Sequence, residues 1–388
     1  MKNKASLTII FLTIFIDLMG FGILIPILPT FASKQLGATD FQIGIVVAVF
    51  SLMQFIFNPI MGRLSDRIGR RPVILSTQLM TIISYLIFAF TNSYLLLIIS
   101  RMIAGLGGSN IGVAQAYIAD ITSKEERAKG MGLIGAAFGL GFVFGPLIGA
   151  LLSKYGYSVA GFGAAAFSSL AFLFAIFKLP ESLHEKKIEQ KFQFKIFDFA
   201  FTKKVLSSPS IGILVFLFFV IIFSIANIYG TLALLTYKVY HFSDQQNGIL
   251  FGITGLIGAL VQAGLMRKIS QKYSDKKIVI GGLFFMVIGL ALIPYGGNFL
   301  GLSIVVSILA VGTGILQPII PTMISKRASE NMQGSVLGVN QSLSALARVF
   351  GPLWGGFSFH YLGYQFPFLT GAVVTFFTLI FAFLFIKN

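Results

Sequence analysis

The chain has 388 residues, 56% of them hydrophobic and 11% charged, with a mean hydropathy of +0.89. Soluble domains average about 25% charged residues, so a soluble protein of this length is excluded, and apolar runs of about twenty residues in close succession mark a polytopic helical membrane protein. The net charge is +16 and there is no Cys, which removes disulfides, thiolate metal sites and cysteine nucleophiles together.

Hydropathy predicts twelve spans, at 7–31, 41–61, 73–91, 94–119, 130–153, 158–177, 210–236, 245–266, 278–295, 299–325, 333–357 and 364–386. Barrel strands would alternate apolar and polar residues over about ten positions; these runs are continuous, so an outer-membrane barrel is excluded. With the amino terminus in the cytoplasm, 24 of the 29 Lys and Arg fall in inner segments, three (Lys34, Lys154, Lys238) in outer loops and two (Arg101, Arg348) within spans. That asymmetry predicts that both termini are cytoplasmic. It assigns the basic balance to topology and anionic lipid, and no nucleic-acid partner is expected.

In the first span, Lys2 and Lys4 precede an apolar run as in a signal peptide. The run is too long, lacks a small-residue cleavage site and contains Asp17, so it is read as a retained span. Asp17 is the one acidic residue in the apolar body of any span. It lies roughly 15 Å from the inner face at ~1.5 Å per residue, near the midplane of a ~30 Å core. An ionisable group there is costly and by default functional: it suits a reversible proton carrier, the other readings being a structural ion pair or a permanently neutral acid. Arg101 in the fourth span comes to about 20 Å from the same face. The two are expected to meet directly or through water, with proton or substrate competing for the contact; helix packing through the Arg101 stem is the other reading.

After the second span comes GRLSDRIGRRP, 62–72, with Gly62, Asp66, Arg67, Gly69, Arg70 and Arg71; the fourth span ends at Asp120. A carboxylate at such a boundary can cap a neighbouring helix and pair with Arg. Arg63 and Arg67 also read as topology signals alone. In the fifth span, Gly141, Gly145 and Gly149 surround Pro146, a pattern that permits close helix approach and a bend.

A polar linker, 179–209, divides the chain into a six-span bundle at 1–178 and another at 210–388. A shift of 206 residues lays VFGPLIGA (143–150) on VFGPLWGG (349–356), and sets Lys272 opposite Asp66, Lys326 opposite Asp120 and Phe142 opposite Arg348. The second half has thus lost the acids of the first, and a weaker latch is expected there. Parallel repeats of this kind imply a central cavity between bundles, reached alternately from either side. Gln54, Asn110, Gln317, Gln341 and Arg348 are the expected cavity residues, with aromatic walls. Arg348 favours a substrate with an anionic or enolate oxygen, unless it snorkels to the interface.

The loop at 62–72 resembles the signature of the major facilitator superfamily. DLMGFGILIPILP (17–29), SRMIAGLGGSN (100–110), AYIADIT (116–122), GAAFGLGFVFGPLIGA (135–150) and LMQFIFNPIMG (52–62) resemble its drug:proton antiporters, most closely the tetracycline efflux pumps. The resemblance implies an all-α fold of twelve transmembrane helices in two pseudo-symmetric bundles. It also implies a cytoplasmic gate that includes Asp66 and Asp120, and a fifth-span hinge that seals against leakage. Those pumps carry further acids in the third span and in the ninth or tenth; TIISYLIFA (81–89) and GTGILQPIIP (312–321) have none, and Ser84 stands at the third-span position, so tetracycline itself is not implied.

No phosphate loop, Ser/His/Asp set or metal-ligand cluster is present, and His184, His241 and His360 fall in loops or at span ends. No cofactor, metal or enzymatic activity is expected. The expected function is proton-coupled antiport that exports hydrophobic small molecules by alternating access, by a monomer in a bacterial inner membrane, with protons and membrane lipids as partners. The alternative is an exporter or flippase of an endogenous lipid or metabolite.

Overall fold

A computed structural model describes residues 2–123, 127–183, 199–329 and 332–386. Outside these residues lie the linker stretch 184–198, with His184, and Lys124 and Lys387; the side chains of Lys2, Lys4, Arg127 and Lys129 are likewise outside the description.

In hydrocarbon every backbone N–H and C=O needs a partner, and a helix supplies them all within one segment. The described residues accordingly form α1 (Lys2–Leu24), α2 (Leu28–Leu36), α3 (Asp40–Ile68), α4 (Arg70–Ala89), α5 (Tyr94–Gly107), α6 (Asn110–Ile121), α7 (Arg127–Leu152) and α8 (Tyr157–Lys178). They continue as α9 (Phe199–Leu206), α10 (Ile211–Lys238), α11 (Asp244–Leu260), α12 (Met266–Lys272), α13 (Asp275–Leu292), α14 (Phe299–Arg327), α15 (Gln333–Tyr361) and α16 (Phe366–Phe385).

Eleven helical segments among the described residues are long and apolar enough to cross a membrane. The expected span at 333–357 forms as α15, a helix of 29 residues that is not among those eleven, because Asn340, Gln341 and Arg348 dilute its apolar run. Local chemistry explains where helices begin and break. The first span divides at Pro26, and α2 restarts with Pro29 in its first turn and stops at Gly37, whose φ of 62° suits a residue without Cβ. The fourth span divides at Gly108 and Ser109, and the eighth carries a π-turn, Val261–Leu265, between α11 and α12. Thr39 and Gln42 bond each other's backbone N–H groups at the start of α3, and Ser243 and Gln246 form the same box before α11.

The chain divides into two compact units. Unit 1 comprises Met1–Gly37, Val49–Ile196 and Asn247–Gly252; unit 2 comprises Ala38–Ala48, Phe197–Gln246 and Ile253–Asn388. Helix α3 therefore begins in unit 2 and continues in unit 1, and part of α11 belongs with unit 1.

In unit 1, α1 packs along α7 and α8, while α4 packs along α5 and α8. Ile10, Ile14, Leu18, Val73, Tyr117 and Ile134 are at its buried centre. In unit 2, α10 packs along α15 and α16, and α13 along α14 and α16. The pairing of elements is the same in both, which is the structural form of the internal repeat.

Candidate functional site

Asp17 is buried in α1, 8% exposed, and its carboxylate is held by two neutral donors. Asn110 Nδ2 at the start of α6 donates to one oxygen at 3.0 Å, and Ser168 Oγ of α8 donates to the other at 3.1 Å. The close approach of α8 depends on Gly20, where a Cβ would lie 2.9 Å from Ser168 Oγ and 3.0 Å from the Ala164 carbonyl oxygen.

The expected direct contact with Arg101 is not formed. Arg101 is also buried, but its Nη2 donates to Ser100 Oγ at 3.2 Å and its guanidinium carbon lies 5.8 Å from the Phe88 ring centroid. The reason is which helix faces which: α8, not α5, packs along α1. Tyr85 of α4 interacts electrostatically with both Asp17 and Arg101, so the two charged groups share a neighbour rather than a bond. Tyr85 and Ser168 were not singled out in the sequence; a lone Tyr or Ser in an apolar span gives no sign of what it faces. Ser84, at the place of the third-span acid, is fully buried and donates to its own helix at Thr81 O, 2.7 Å.

Around Gly69 the structure assembles a second polar cluster within unit 1. Arg70 is its centre: Nη1 is 2.6 Å from Asp66 Oδ1 and donates to Ser65 Oγ at 2.6 Å, while Nε is 3.0 Å from Asp120 Oδ2. The sequence had suggested that these acids would cap a neighbouring helix as well as pair with Arg; both pair with Arg70 and neither makes the cap. That task falls to Glu181, beyond α8, which accepts from the backbone N–H of Arg70 at 2.9 Å and of Arg71 at 3.2 Å. A carboxylate there answers both the unpaired N–H groups and the dipole of α4.

Gly69 has φ of 110° and backs directly onto the Glu181 carboxylate, so any side chain would displace the cap. Residues 180–182 are fastened to the same cluster: Tyr117 donates to Pro180 O at 3.0 Å and Ser182 Oγ to Asp120 at 3.0 Å. Arg71 Nη2 donates to Ile176 O at 2.6 Å. Arg67 is half-buried on α3, and a Cβ at Gly62 would meet nothing within 4 Å.

Gly141, Gly145, Pro146 and Gly149 are all buried in α7, which runs unbroken through Pro146. The three glycines form the seam against α1: a Cβ at Gly145 would be 2.6 Å from Gly22 Cα, one at Gly141 would be 2.8 Å from Leu18 Cβ, and one at Gly149 would strike the Ile23 carbonyl. Gly351 and Gly355 make the equivalent seam of α15 against α10 in unit 2, at Phe223, Asn227 and Thr231.

The five expected cavity residues divide between the units. Gln54 donates to Gly108 O at 3.0 Å across the α5–α6 break, and Asn110 is committed to Asp17. In unit 2, Gln317 and Gln341 are exposed, and Arg348 interacts electrostatically with Tyr229. A half-buried aromatic group, Phe21, Phe50, Phe138 and Phe142, lies in unit 1, with Phe21 and Phe50 stacked at 5.0 Å.

A further ion cluster in unit 2 was not foreseen: Asp40, at the start of α3, bonds Lys238 Nζ at 2.5 Å and faces His360 Nδ1 at 3.5 Å. Among the described residues no group of three or more His, Cys, Asp or Glu could hold a metal.

Repeated bundles of long apolar helices, with Asp17 buried in the first helix, define a polytopic membrane protein. The sequence profile of the Major Facilitator Superfamily matches residues 10–352 and, again, 265–388, and the chain belongs to that superfamily. The class E tetracycline resistance protein of Escherichia coli is 33% identical over 344 residues, which cover 88% of this chain and 84% of that one. Multidrug resistance protein 2 of Bacillus subtilis (strain 168) is 29% identical over 378 residues, covering 96% and 93%. The crystal structure of the human organic anion transporter MFSD10 superposes with a TM-score of 0.72 at 27% identity, covering 98% of this chain and 99% of that one. The relatives are transporters and not enzymes.

Proposed function

We propose that the protein is a proton-coupled antiporter that exports hydrophobic small molecules, and that Asp17 is its proton carrier. The observation that carries this reading is the neutral setting of the Asp17 carboxylate. Asn110 and Ser168 hold it, and it forms no ion pair among the described residues. Protonating an acid that is salt-bridged strands a buried cation, which is costly; protonating one held by an amide and a hydroxyl strands nothing, because both partners can rotate or reverse their role. Arg101, reached through Tyr85, biases the site by its field. A hydrophobic substrate suits the aromatic group around Phe21 and Phe50, and export suits the efflux relatives.

In this reading both termini are cytoplasmic and the membrane is a bacterial inner membrane. The bundles 1–178 and 210–388 rock as a monomer, and 179–209 joins them. The Arg70 cluster latches the cytoplasmic side, and the α7 seam acts as a hinge that resists leakage.

The test is substrate-evoked proton flux in proteoliposomes under an imposed pH gradient, across a panel of lipophilic cations, tetracyclines, phenicols and anionic drugs. Flux that disappears in Asp17→Asn, with the variant still folded, supports the reading; pH-driven transport that persists in that variant refutes the coupling role. Arg348 beside Tyr229 favours a substrate with an anionic or enolate oxygen, in keeping with the human relative's name, and the anionic members of the panel address that directly.

A further inference from the structure

In unit 1 the place between α3, α4 and α6 is closed by Asp66, Asp120 and Arg70. The 206-residue shift carries those three positions to Lys272, Lys326 and Lys276, and the structure of unit 2 at that place is different. Between α12, α13 and α14 lies an open groove of about 370 Å³, lined among others by Arg267, Ser270, Asp275, Lys326, Met266 and Ile319. Lys326 and Asp275 pair at 3.0 Å, with Lys326 62% exposed. Two cations and one acid therefore line the groove, and the acid answers only one of them. The sequence comparison accounted for the lost acids as a weaker latch; a groove with surplus positive charge is something more.

We propose that this groove binds the phosphodiester headgroup of an anionic phospholipid. Arg267 offers a planar fork for two phosphate oxygens, Ser270 a hydroxyl, and Lys326 a point charge that can turn from Asp275 to the ligand. The volume suits a glycerophosphate. Met266, Pro318 and Ile319 add an apolar part to the same lining, and the helix that leads into the groove exposes Leu260 and Leu265. An acyl chain continues along that surface, whereas a free phosphate would use the charged half alone. Basic pockets between transmembrane helices bind lipid headgroups by this combination of charge and apolar flank. The inference rests on unit 2 alone and is independent of the transport reading.

The test uses the purified full chain in detergent and native mass spectrometry with dioctanoyl phosphatidylglycerol, dioctanoyl phosphatidylcholine and inorganic phosphate. Phosphatidylglycerol should bind about five-fold or more tightly than phosphatidylcholine, the preference that one added basic contact confers. Arg267→Gln/Lys326→Gln should remove the preference, as should Ser270→Asp, which keeps both cations and puts a negative charge in the mouth. Lys154→Gln should leave it unchanged. Equal binding of the two lipids, an unchanged preference in both groove variants, or displacement of phosphatidylglycerol by equimolar phosphate would each overturn the proposal.

Discussion

Asp17 and Arg101 were legible as functional candidates because an ionisable residue inside an apolar run stands out by composition and its depth follows from the helix rise. Their partners were not legible. Helix α1 is apolar on every face, so its sequence carries no angular signal for which side meets α8, and Ser168 looks like any small polar residue in a membrane helix. The geometry now separates two kinds of substitution. Asp17→Asn retains an acceptor and is expected to leave thermal stability within about 1 kcal/mol while abolishing proton flux, read by unfolding in detergent and by the proteoliposome assay. Asn110→Ala leaves a carboxylate oxygen unpartnered in a buried site and should cost about 1–3 kcal/mol, a loss visible as a lowered unfolding midpoint.

The helix seams and the loop after α3 show what a motif can and cannot convey. GFVFGPLIGA announced close packing, and the structure names the surface that it meets, since α7 glycines touch the α1 backbone at Gly22 and Ile23. Gly145→Ala is therefore expected to destabilise by about 1–3 kcal/mol through overpacking, and Gly62→Ala, where a Cβ meets open space, should be silent in the same melting experiment.

The loop motif exposed Asp66, Arg70 and Asp120 but hid the cap, because Glu181 is 111 residues from Arg70 in the chain and reads locally as one more charge in a polar linker. Glu181→Gln keeps its hydrogen-bonding shape and loses its charge; the expected cost is about 1 kcal/mol at the start of α4, checked by hydrogen exchange of the first turn. Asp66→Asn should slow turnover more than it weakens substrate binding. Its effect should be less than additive with Asp120→Asn, since both acids share Arg70; turnover unchanged in the double variant would sink the latch.

At the scale of the molecule, the repeat read from VFGPLIGA and VFGPLWGG appears as one helix-pairing pattern used twice. What the repeat does not preserve is chemistry: the mate of Asp17 is Phe223 and the mate of Asp66 is Lys272, so the halves share packing but not their acidic residues. The sequence also implied that units would follow the linker. By packing, the first residues of α3 go with unit 2 and Asn247–Gly252 with unit 1, a distinction that a hydropathy profile does not carry, because hydropathy marks spans and not their neighbours. Asp40 ties the start of α3 to Lys238 and His360. Asp40→Asn should therefore alter turnover in the flux assay without changing its dependence on Asp17.

That exchange has a consequence for biogenesis. Were the chain made as two polypeptides, interrupted within 184–198, the first would keep every partner of Arg70, including Glu181. The second would emerge with Lys238 and His360 but without the carboxylate they face, and the first would lack the segment of α11 whose Gly248 backs onto Pro146 and Ala150. Each fragment holds a piece of the other's unit, so neither is a finished object by itself. Co-expression should rescue assembly where separate expression yields degradation, and the quality-control machinery of the host would in effect be reading a mutual exchange of helices.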